Sequence, residues 1–242
     1  MKSYLYKDLY IQEKVHFWHV SKRKTALALI NQFLIVDKPK ILDVGCGTGE
    51  NVSFFSQLGE VWGIDNSQEA LDFCKKRGLN NVKLASSDNT GYKENGFDAV
   101  TMFDLLEHVD EAPTLKEAAR ILKDDGLLVL TLPSYPWLWS KWDEELHHKR
   151  RYTAEKLSNV LTLNGFKVVK SSYMYSFLLP IVFIVRLIKA LFFRKRAYPS
   201  DFSLSSPFIN YVFSKICTLE RWFVIRIGVP FGTSLICVAR KV

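Results

Sequence analysis

The sequence ILDVGCGTGE, residues 41–50, places an acid and three alternating glycines directly after an apolar strand. Glycine adopts positive φ at little steric cost and lets a ligand approach the backbone closely. A dinucleotide fingerprint needs the pattern G-x-G-x-x-G/A to seat a pyrophosphate on the helix N-terminus. Here its last position is Glu50, whose carboxylate would repel phosphate. The loop therefore favours a nucleoside ligand over a dinucleotide, and the alternative is a tight turn without any ligand.

Strand-like and helix-like segments alternate on both sides of this loop. Short buried strands that alternate with helices indicate an α/β fold, doubly wound around a mostly parallel sheet. The chain divides into an N-terminal helical lid at 1–36, a core at 37–173 and 233–242, and a helical insertion at 174–232. The predicted strands are 41–44, 61–64, 82–85, 97–103, 126–132, 166–172 and 233–242, and the predicted core helices are 67–77, 112–122 and 153–164.

Two acids follow later strands, at the edge of the sheet where the glycine loop lies. Asp65 ends the strand 61–64 and comes 22 residues after Asp43, the distance needed to cross one helix and return along the next strand. A carboxylate there can accept hydrogen bonds from both hydroxyls of a ribose, and the alternative is a helix cap. Asp88 follows the third strand, where it either holds an exocyclic adenine amine or forms a plain turn.

Composition excludes several classes of protein. The 242 residues are 48% hydrophobic and 24% charged, which is too apolar for a disordered chain. Four scattered cysteines, without a C-x-x-C pair or zinc-ligand spacing, argue against a disulfide scaffold or a zinc module. The first residues contain no apolar run typical of a signal peptide, so we expect a cytoplasmic protein.

The C-terminal part combines basic charge with long apolar segments. Residues 136–242 carry 17 Lys and Arg against 6 Asp and Glu, whereas residues 1–135 carry 16 against 19. The apolar run 177–193 contains two basic residues, each costing about 2.5–3.5 kcal/mol at mid-span, so an interfacial helix on anionic lipid is favoured over a transmembrane helix. This run and a second one at 208–227 could instead form an internal cap or a dimer interface. Both are too apolar for nucleic-acid binding.

Successive motifs resemble those of the class I S-adenosylmethionine-dependent methyltransferases. The motifs are DVGCGTG, GID, SSD, FDAVTMFDLLEHV and LKDDGLLVLTLP within residues 41–172, and residues 233–242 resemble the last, antiparallel strand of that fold. The resemblance implies a seven-stranded Rossmann-like sheet, S-adenosyl-L-methionine as the cofactor and methyl transfer as the activity. It implies cofactor contacts to the methionine end by Asp43, Gly45, Gly47 and Gly49, to ribose by Asp65, to adenine by Asp88 and Asn89, and at the sulfonium by Phe103 and Asp104.

His108 and His148 are the predicted catalytic bases, because methylation of an oxygen requires removal of its proton near neutral pH. For His108 the alternative is a role in capping or orienting its loop. The acids at 104 and 107 with His108 also resemble an acid-x-x-Glu-His set proposed to hold magnesium in quinone-biosynthesis O-methyltransferases. This sequence has Asp where that group has Glu, and we predict no bound metal.

Tryptophans and basic residues form the predicted acceptor site. Three tryptophans occur within residues 137–142, followed by HHKRRY at 147–152, in a segment bounded by prolines and charges. This segment reads either as a substrate lid, with Arg151 as an anion anchor, or as an aromatic plug. With the N-terminal Glu13-x-x-His16-Phe17-Trp18 it resembles a methyltransferase subgroup associated with cell-surface glycan and lipid pathways. The predicted substrate-binding residues are Trp18, Trp139, Arg151 and Tyr152.

These features together predict an enzyme that O-methylates a lipid-linked, isoprenoid or glycan-type acceptor at the inner membrane surface. One alternative is methylation of a soluble small molecule or sugar. Another is a catalytically idle, cofactor-binding subunit that docks partners. Nucleic acid is not an expected partner, since no N-P-P-Y-type tetrapeptide follows the fourth strand, and the oligomeric state stays open.

Overall fold

The computed structural model describes residues 3–181, 183–184 and 206–242. Seven strands form one sheet: β1 Lys40–Val44, β2 Glu60–Asp65, β3 Val82–Leu84, β4 Phe97–Phe103, β5 Leu122–Pro133, β6 Phe166–Met174 and β7 Ser234–Lys241. Their spatial order is β3-β2-β1-β4-β5-β7-β6. Only β7 runs antiparallel, between β5 and β6. This confirms the predicted fold class, a doubly wound, mostly parallel, seven-stranded sheet.

The described helices cover both faces of the sheet. Along the core they are α3 Glu50–Phe55, α4 Gln68–Lys76, α5 Glu111–Ile121, the short α6 Lys141–Glu145 and α7 Ala154–Leu163, whereas α1 Ser3–Val15 and α2 Phe17–Phe33 precede the sheet and α8 Pro207–Arg226 precedes its last strand. Alternate residues of β5 point to opposite faces. Leu128 packs with α5 and α7 on one face, and Val129 packs with α2, α3 and α8 on the other.

The N-terminal segment forms two helices that meet at His16. The backbone of His16 is extended, with φ −73° and ψ 130°, and its side chain accepts a hydrogen bond from the Trp18 amide at the start of α2. Helix α2 buries Leu29 and Ile30 against the sheet. Helix α1 lies against α2, α3 and α4, above the glycine loop.

Helix α8 is fastened to the junction of α1 and α2 by one side chain. The Asn210 amide oxygen accepts from the backbone N–H of Phe17 at 2.7 Å, and its nitrogen donates to the Val15 carbonyl at 2.9 Å. Near the other end of α8, the buried Glu220 accepts from the backbone N–H groups of Tyr175 and Ser176. Of the two apolar runs predicted here, 208–227 coincides with α8, and most of 177–193 lies outside the described residues.

Candidate functional site

A cavity of about 1180 Å³ opens at the carboxyl ends of the central strands. Strand order reverses beside β1, because β1 leads to β2 and β3 on one side and to β4 on the other. In open α/β sheets, ligands bind in the crevice outside such a reversal. The glycine loop and the ends of β2 and β3 line one side of this cavity, and the segments after β4 and β5 line the other. We call these the glycine-loop wall (residues 45–47, 64–66, 85 and 87) and the histidine wall (residues 103–109 and 137–151).

The glycines of the loop have different surroundings. Gly45, Gly47 and Gly49 have φ values of 73°, 54° and 88°, a region that other residues rarely adopt. Gly45 and Gly47 line the cavity, whereas Gly49 does not. A Cβ at Gly49 would lie 2.6 Å from Leu79 and 2.8 Å from the Cys74 sulfur. Gly49 therefore allows α3 to pack against α4, and the first two glycines expose backbone to a ligand.

Asp43 is fully buried behind the loop. Its Oδ1 accepts a hydrogen bond of 2.6 Å from the Thr101 hydroxyl, and its Oδ2 has no partner. Burial raises the pKa of this carboxyl to about 7, against the hydrogen bond from Thr101. Asp43 does not line the cavity, so the glycine loop separates its carboxylate from a ligand there.

Asp65 lies at the end of β2 and lines the cavity. Its two oxygens accept hydrogen bonds from the backbone N–H groups of Gly47 and Ser67, each at 2.9 Å. Burial raises the pKa of Asp65, and the backbone bonds oppose that shift. These bonds fix the carboxylate between the glycine loop and α4, where its remaining lone pairs face the cavity.

The third strand places different residues at the cavity from those predicted. Ala85 and Ser87 line it, but Asp88 and Asn89 are exposed and do not. The Ser86 hydroxyl donates to the Asp88 carboxylate, and an isolated bridge between Ser86 and Asn89 closes a tight turn. The turn directs the acid outward because β3 ends early, at Leu84.

Helix α1 closes the cavity over the glycine loop through a buried polar contact. The Glu13 carboxylate accepts from the Thr48 hydroxyl and from the Arg77 guanidinium, the latter at 2.5 Å. Arg77 also donates to the carboxylate of Glu50 at 2.7 Å. Glu50, whose carboxylate disfavours a bound pyrophosphate, thus pairs with the same arginine as Glu13.

Residues after β4 begin the histidine wall. Phe103 and Asp104, predicted to lie at the sulfonium, both line the cavity, and Asp104 has a positive φ of 49°. Its carboxylate accepts from the Lys22 ammonium of α2, a buried cation that the sequence analysis does not single out. Lys22 follows Trp18 by four residues, so the two side chains lie on one face of α2. This spacing is the sequence signal from which Lys22 could be identified.

Both predicted bases face the same part of the cavity. The His108 and His148 rings lie nearly perpendicular, with centroids 4.6 Å apart. Burial and the neighbouring His148 lower the pKa of His108 to about 4. Between them lies Glu107, which is fully buried and has no hydrogen-bond partner on either carboxylate oxygen. Burial and the nearby Asp104 raise the pKa of Glu107 well above its usual range.

A buried carboxylate, Asp143, holds the second half of this wall together. It pairs with the Arg151 guanidinium through two bonds, of 2.7 and 3.0 Å, and with Nδ1 of His148 at 2.9 Å. Although burial opposes it, the bonds from His148 and Arg151 hold the pKa of Asp143 well below its usual range. Arg151 lines the cavity but is committed to Asp143, so its guanidinium is less free to bind an acceptor than predicted.

The predicted acceptor residues separate into two groups. Trp18 and Trp139 line the cavity, and Trp18 stacks on Tyr175 with a centroid distance of 4.1 Å. Tyr152 does not line it. The Tyr152 side chain is fully buried, and its hydroxyl donates to the Glu111 carboxylate at 2.6 Å. Tyr152 therefore lies behind the wall, where it supports the loop after β4.

Helix α8 presents apolar and basic side chains to solvent. The side of α8 that contacts α2 buries Cys217 and Val224. The exposed side carries Lys215 and Arg226 together with large apolar residues, which are Phe208, Tyr211, Leu219, Trp222 and Phe223. Two further residues of the same helix, Ile209 and Phe213, line the cavity. The exposed surface of α8 is thus continuous with the cavity mouth. Among the described helices, none is both long and apolar enough to span a bilayer.

Comparisons with known proteins agree with this fold. Residues 42–130 match the family described as "Methyltransferase domain". The chain is 39% identical over 108 residues to a demethylmenaquinone methyltransferase of Staphylococcus aureus, covering 41% of this chain and 45% of the relative. It is 28% identical over 149 residues to an uncharacterized protein of Methanocaldococcus jannaschii, covering 59% and 58%. The matches thus span about half the length of these relatives.

A solved structure extends the likeness of fold to nearly the whole chain. The structure of a SAM-dependent methyltransferase from Thermotoga maritima has a TM-score of 0.60 and 20% identity, covering 98% of this chain and 93% of that one.

Proposed function

We propose that the chain, whose residues 42–130 match the family described as "Methyltransferase domain", uses S-adenosylmethionine to methylate a hydrophobic acceptor at a membrane surface. The observation that carries the proposal is one continuous cavity. A glycine loop and a ribose-type carboxylate line one wall, and tryptophans and histidines line the other. We propose that the methylated atom is an oxygen of a lipid-linked, isoprenoid or glycan-type molecule.

The glycine-loop wall fits S-adenosylmethionine. Gly45 and Gly47 allow the methionine part to lie against the backbone, and the buried Asp43 carboxylate behind them would favour its ammonium group through its charge. Asp65 is fixed by two backbone N–H groups and would bind the ribose. Ser87, which lines the cavity after the third strand, would lie near adenine in place of the predicted Asp88 and Asn89.

The chemistry requires alignment and exclusion of water more than strong charge. In the transfer, an oxygen lone pair would form the new bond to the methyl carbon while the carbon–sulfur bond breaks and its electron pair returns to sulfur; the proton of the acceptor hydroxyl would leave to solvent through the cavity mouth. The positive charge of the sulfonium disappears in this step, so alignment of the three atoms and desolvation contribute most. Helix α1, joined to the loop through Glu13 and Thr48, excludes solvent from above. Asp104 and Phe103 lie at the boundary between the two walls, where the methyl group would be transferred.

The acceptor side favours an apolar, ring-containing molecule. Trp18, Trp139 and Phe213 line the cavity and offer flat apolar surface. A quinone-type acceptor is compatible with this wall, and the name of the Staphylococcus aureus relative includes a quinone. We therefore choose demethylmenaquinone, in reduced form, as the first hydrophobic probe.

The exposed surface of α8 supports binding to anionic lipid. Phe208, Leu219 and Trp222 are 74%, 67% and 54% exposed, and Lys215 and Arg226 lie among them. A helix with aromatic and basic residues on one side is typical of the lipid–water interface. Since Ile209 and Phe213 of the same helix line the cavity, an acceptor dissolved in the bilayer would enter without crossing water.

The cofactor and the transfer are tested in two steps on the full chain. Calorimetric titration should show micromolar binding of S-adenosylhomocysteine and none of NADH. Label from methyl-labelled S-adenosylmethionine should then enter the organic phase with reduced demethylmenaquinone, as a methyl ether; label on a ring carbon instead would reject an oxygen as the methylated atom. Transfer only to water-soluble phenols or sugars would favour the soluble-substrate alternative. Cofactor binding without any transfer would favour an idle docking subunit.

The membrane part is tested by sedimentation with phosphatidylglycerol-containing vesicles, compared with pure phosphatidylcholine vesicles. Leu219→Glu should lower the affinity for the anionic vesicles at least fivefold, because one unfavourable charge near such a surface is worth about 1 kcal/mol. The matched control is Leu163→Glu, at a leucine that is 84% exposed at the end of α7, and this variant should bind as the parent does. Equal binding of Leu219→Glu and the parent would place the lipid contact elsewhere.

A further inference from the structure

Three side chains with metal-binding atoms converge in the histidine wall. Glu107, His108 and His148 each offer one ligand atom, and these atoms lie within 4.8 Å of one another. Two nitrogen or oxygen ligands placed 2.0–2.1 Å from a tetrahedral ion are about 3.3 Å apart. Small rotations of the imidazoles would therefore bring all three into one coordination sphere. Glu107 and His108 come from the loop after β4, and His148 comes from the loop after β5, 40 residues later.

Glu107 has a vacant buried carboxylate aimed into this group. Its side chain is fully buried, it lines the cavity, and neither oxygen has a hydrogen-bond partner. A buried carboxylate without partners is costly by several kcal/mol unless it binds a proton or a cation. Asp143, which is equally buried, shows the contrast, since both its oxygens are paired. A cation bound to Glu107 would offset the cost of burying its carboxylate, as the Arg151 guanidinium does for Asp143.

One of the two imidazoles is already held from behind. His148 uses Nδ1 to pair with Asp143, which leaves Nε2 as its free nitrogen. The His108 ring lies next to the His148 ring, with centroids 4.6 Å apart. Metal-binding histidines almost always donate their second ring N–H to a carboxylate or a backbone carbonyl, which fixes the tautomer and the ring orientation. In this pattern Asp143 is the outer carboxylate, His148 is the ligand that it orients, and Glu107 is a second ligand.

We propose that Glu107, His108 and His148 bind a divalent transition-metal ion such as Zn²⁺ or Co²⁺, with its remaining coordination positions open to the cavity. Two imidazoles and one carboxylate form a set that suits zinc and its neighbours, whereas Mg²⁺ prefers an all-oxygen octahedron. The site thus departs from our sequence prediction of no metal. It also departs from the magnesium motif, because its third ligand lies on a different segment and Asp104 is paired with Lys22 instead.

The open positions face the wall where the proposed acceptor binds, so this inference deepens the proposed function. The ligand it would take there is an oxygen donor such as a phenol, an enol or a hydroxyl. A bound divalent ion lowers the pKa of such an oxygen and orients it. In this arrangement the two histidines act as ligands and not as the bases that the sequence predicts. The metal site itself requires only the three residues, so metal binding is measurable without cofactor or acceptor.

The test is a titration of the chelator-treated full chain with Co²⁺, followed by visible absorption and calorimetry. We expect one equivalent to bind with d–d bands typical of nitrogen and oxygen ligands, Zn²⁺ to displace it, and Mg²⁺ at tenfold higher concentration not to compete. Glu107→Gln and His148→Gln should each weaken Co²⁺ binding at least tenfold. The matched control is His147→Asn, which keeps its backbone carbonyl and tolerates its positive φ of 58°, and it should change the affinity less than twofold.

Several outcomes would overturn the proposal. These are no stoichiometric Co²⁺ binding by the parent chain, unchanged binding in both variants, or effective competition by Mg²⁺. If a variant fails to fold, ¹⁵N-histidine spectra of the parent decide, because Zn²⁺ should shift two imidazole signals and leave that of His147 in place. S-adenosylhomocysteine binding is measured on the same sample. Its loss with metal binding retained would reject the proposed function alone, and the converse would reject the metal site alone.

Discussion

The two walls of the cavity are held in place by different kinds of bonds. In the glycine-loop wall, backbone N–H groups of Gly47 and Ser67 fix the Asp65 carboxylate. In the histidine wall, side chains fix side chains, as Asp143 does with Arg151 and His148. The first wall is therefore held by main-chain hydrogen bonds, whereas the second depends on one buried ion pair. This difference determines how each wall should respond to substitution.

The largest effect is expected where the histidine wall depends on one carboxylate. Asp143→Asn leaves the Arg151 guanidinium buried without its counter-charge, and breaking such a pair costs about 3–5 kcal/mol of unfolding free energy. The control is Asp125→Asn, an Asp that also pairs with an arginine, Arg240, but has a side chain 76% exposed. It should cost less than about 1 kcal/mol. Urea unfolding measures both, and equal losses would mean that burial of Asp143 contributes nothing.

A smaller effect is expected in the glycine-loop wall, on binding and not on folding. Asp65→Ala should weaken S-adenosylhomocysteine at least tenfold in calorimetry, equivalent to about 1.4 kcal/mol, because the ribose would lose its acceptor. Asp88→Ala is the matched control, since that acid is exposed outside the cavity, and its affinity should stay within twofold. If Asp88→Ala weakened binding as much as Asp65→Ala, Asp88 would contact the adenine, as the sequence predicts.

The smallest effect is expected at Tyr152, which lies behind the histidine wall. Tyr152→Phe removes the hydroxyl that donates to Glu111, which should cost about 1 kcal/mol of unfolding free energy. The KM for the acceptor should not change, because Tyr152 does not line the cavity. Trp139→Ala, in contrast, should raise that KM while stability changes little. A raised KM in Tyr152→Phe would show that the ring reaches the acceptor.

The same contrast explains how much of the molecule the sequence could predict. The strands around the glycine loop, the loop itself and Asp65 follow from local patterns of apolar residues, glycine and acid. The position of Asp88 after the third strand predicts an adenine contact, but β3 is only three residues long and Asp88 is exposed in the turn that follows it.

The histidine wall was less accessible to such reasoning. No local pattern shows that Glu107 lacks a partner or that it lies beside His148, since both depend on segments about 40 residues apart meeting at the sheet edge. Lys22 was missed for the same reason, because its partner Asp104 is 82 residues away. Patterns within one element predicted the cofactor side, and only the folded chain assembles the other.

The Asn210 amide gives α8 a mechanical consequence for the distant cofactor. It grips both sides of the junction at which α1 and α2 meet, and α1 is the helix that closes over the glycine loop. The position of α8 is thereby tied to the junction from which α1 extends over the glycine loop. If a surface or partner favoured another position of α8 and the junction moved with it, reciprocal linkage would require an equal change in the free energy of cofactor binding. A single carboxamide thus joins the outer helix to the helix that covers the cofactor loop.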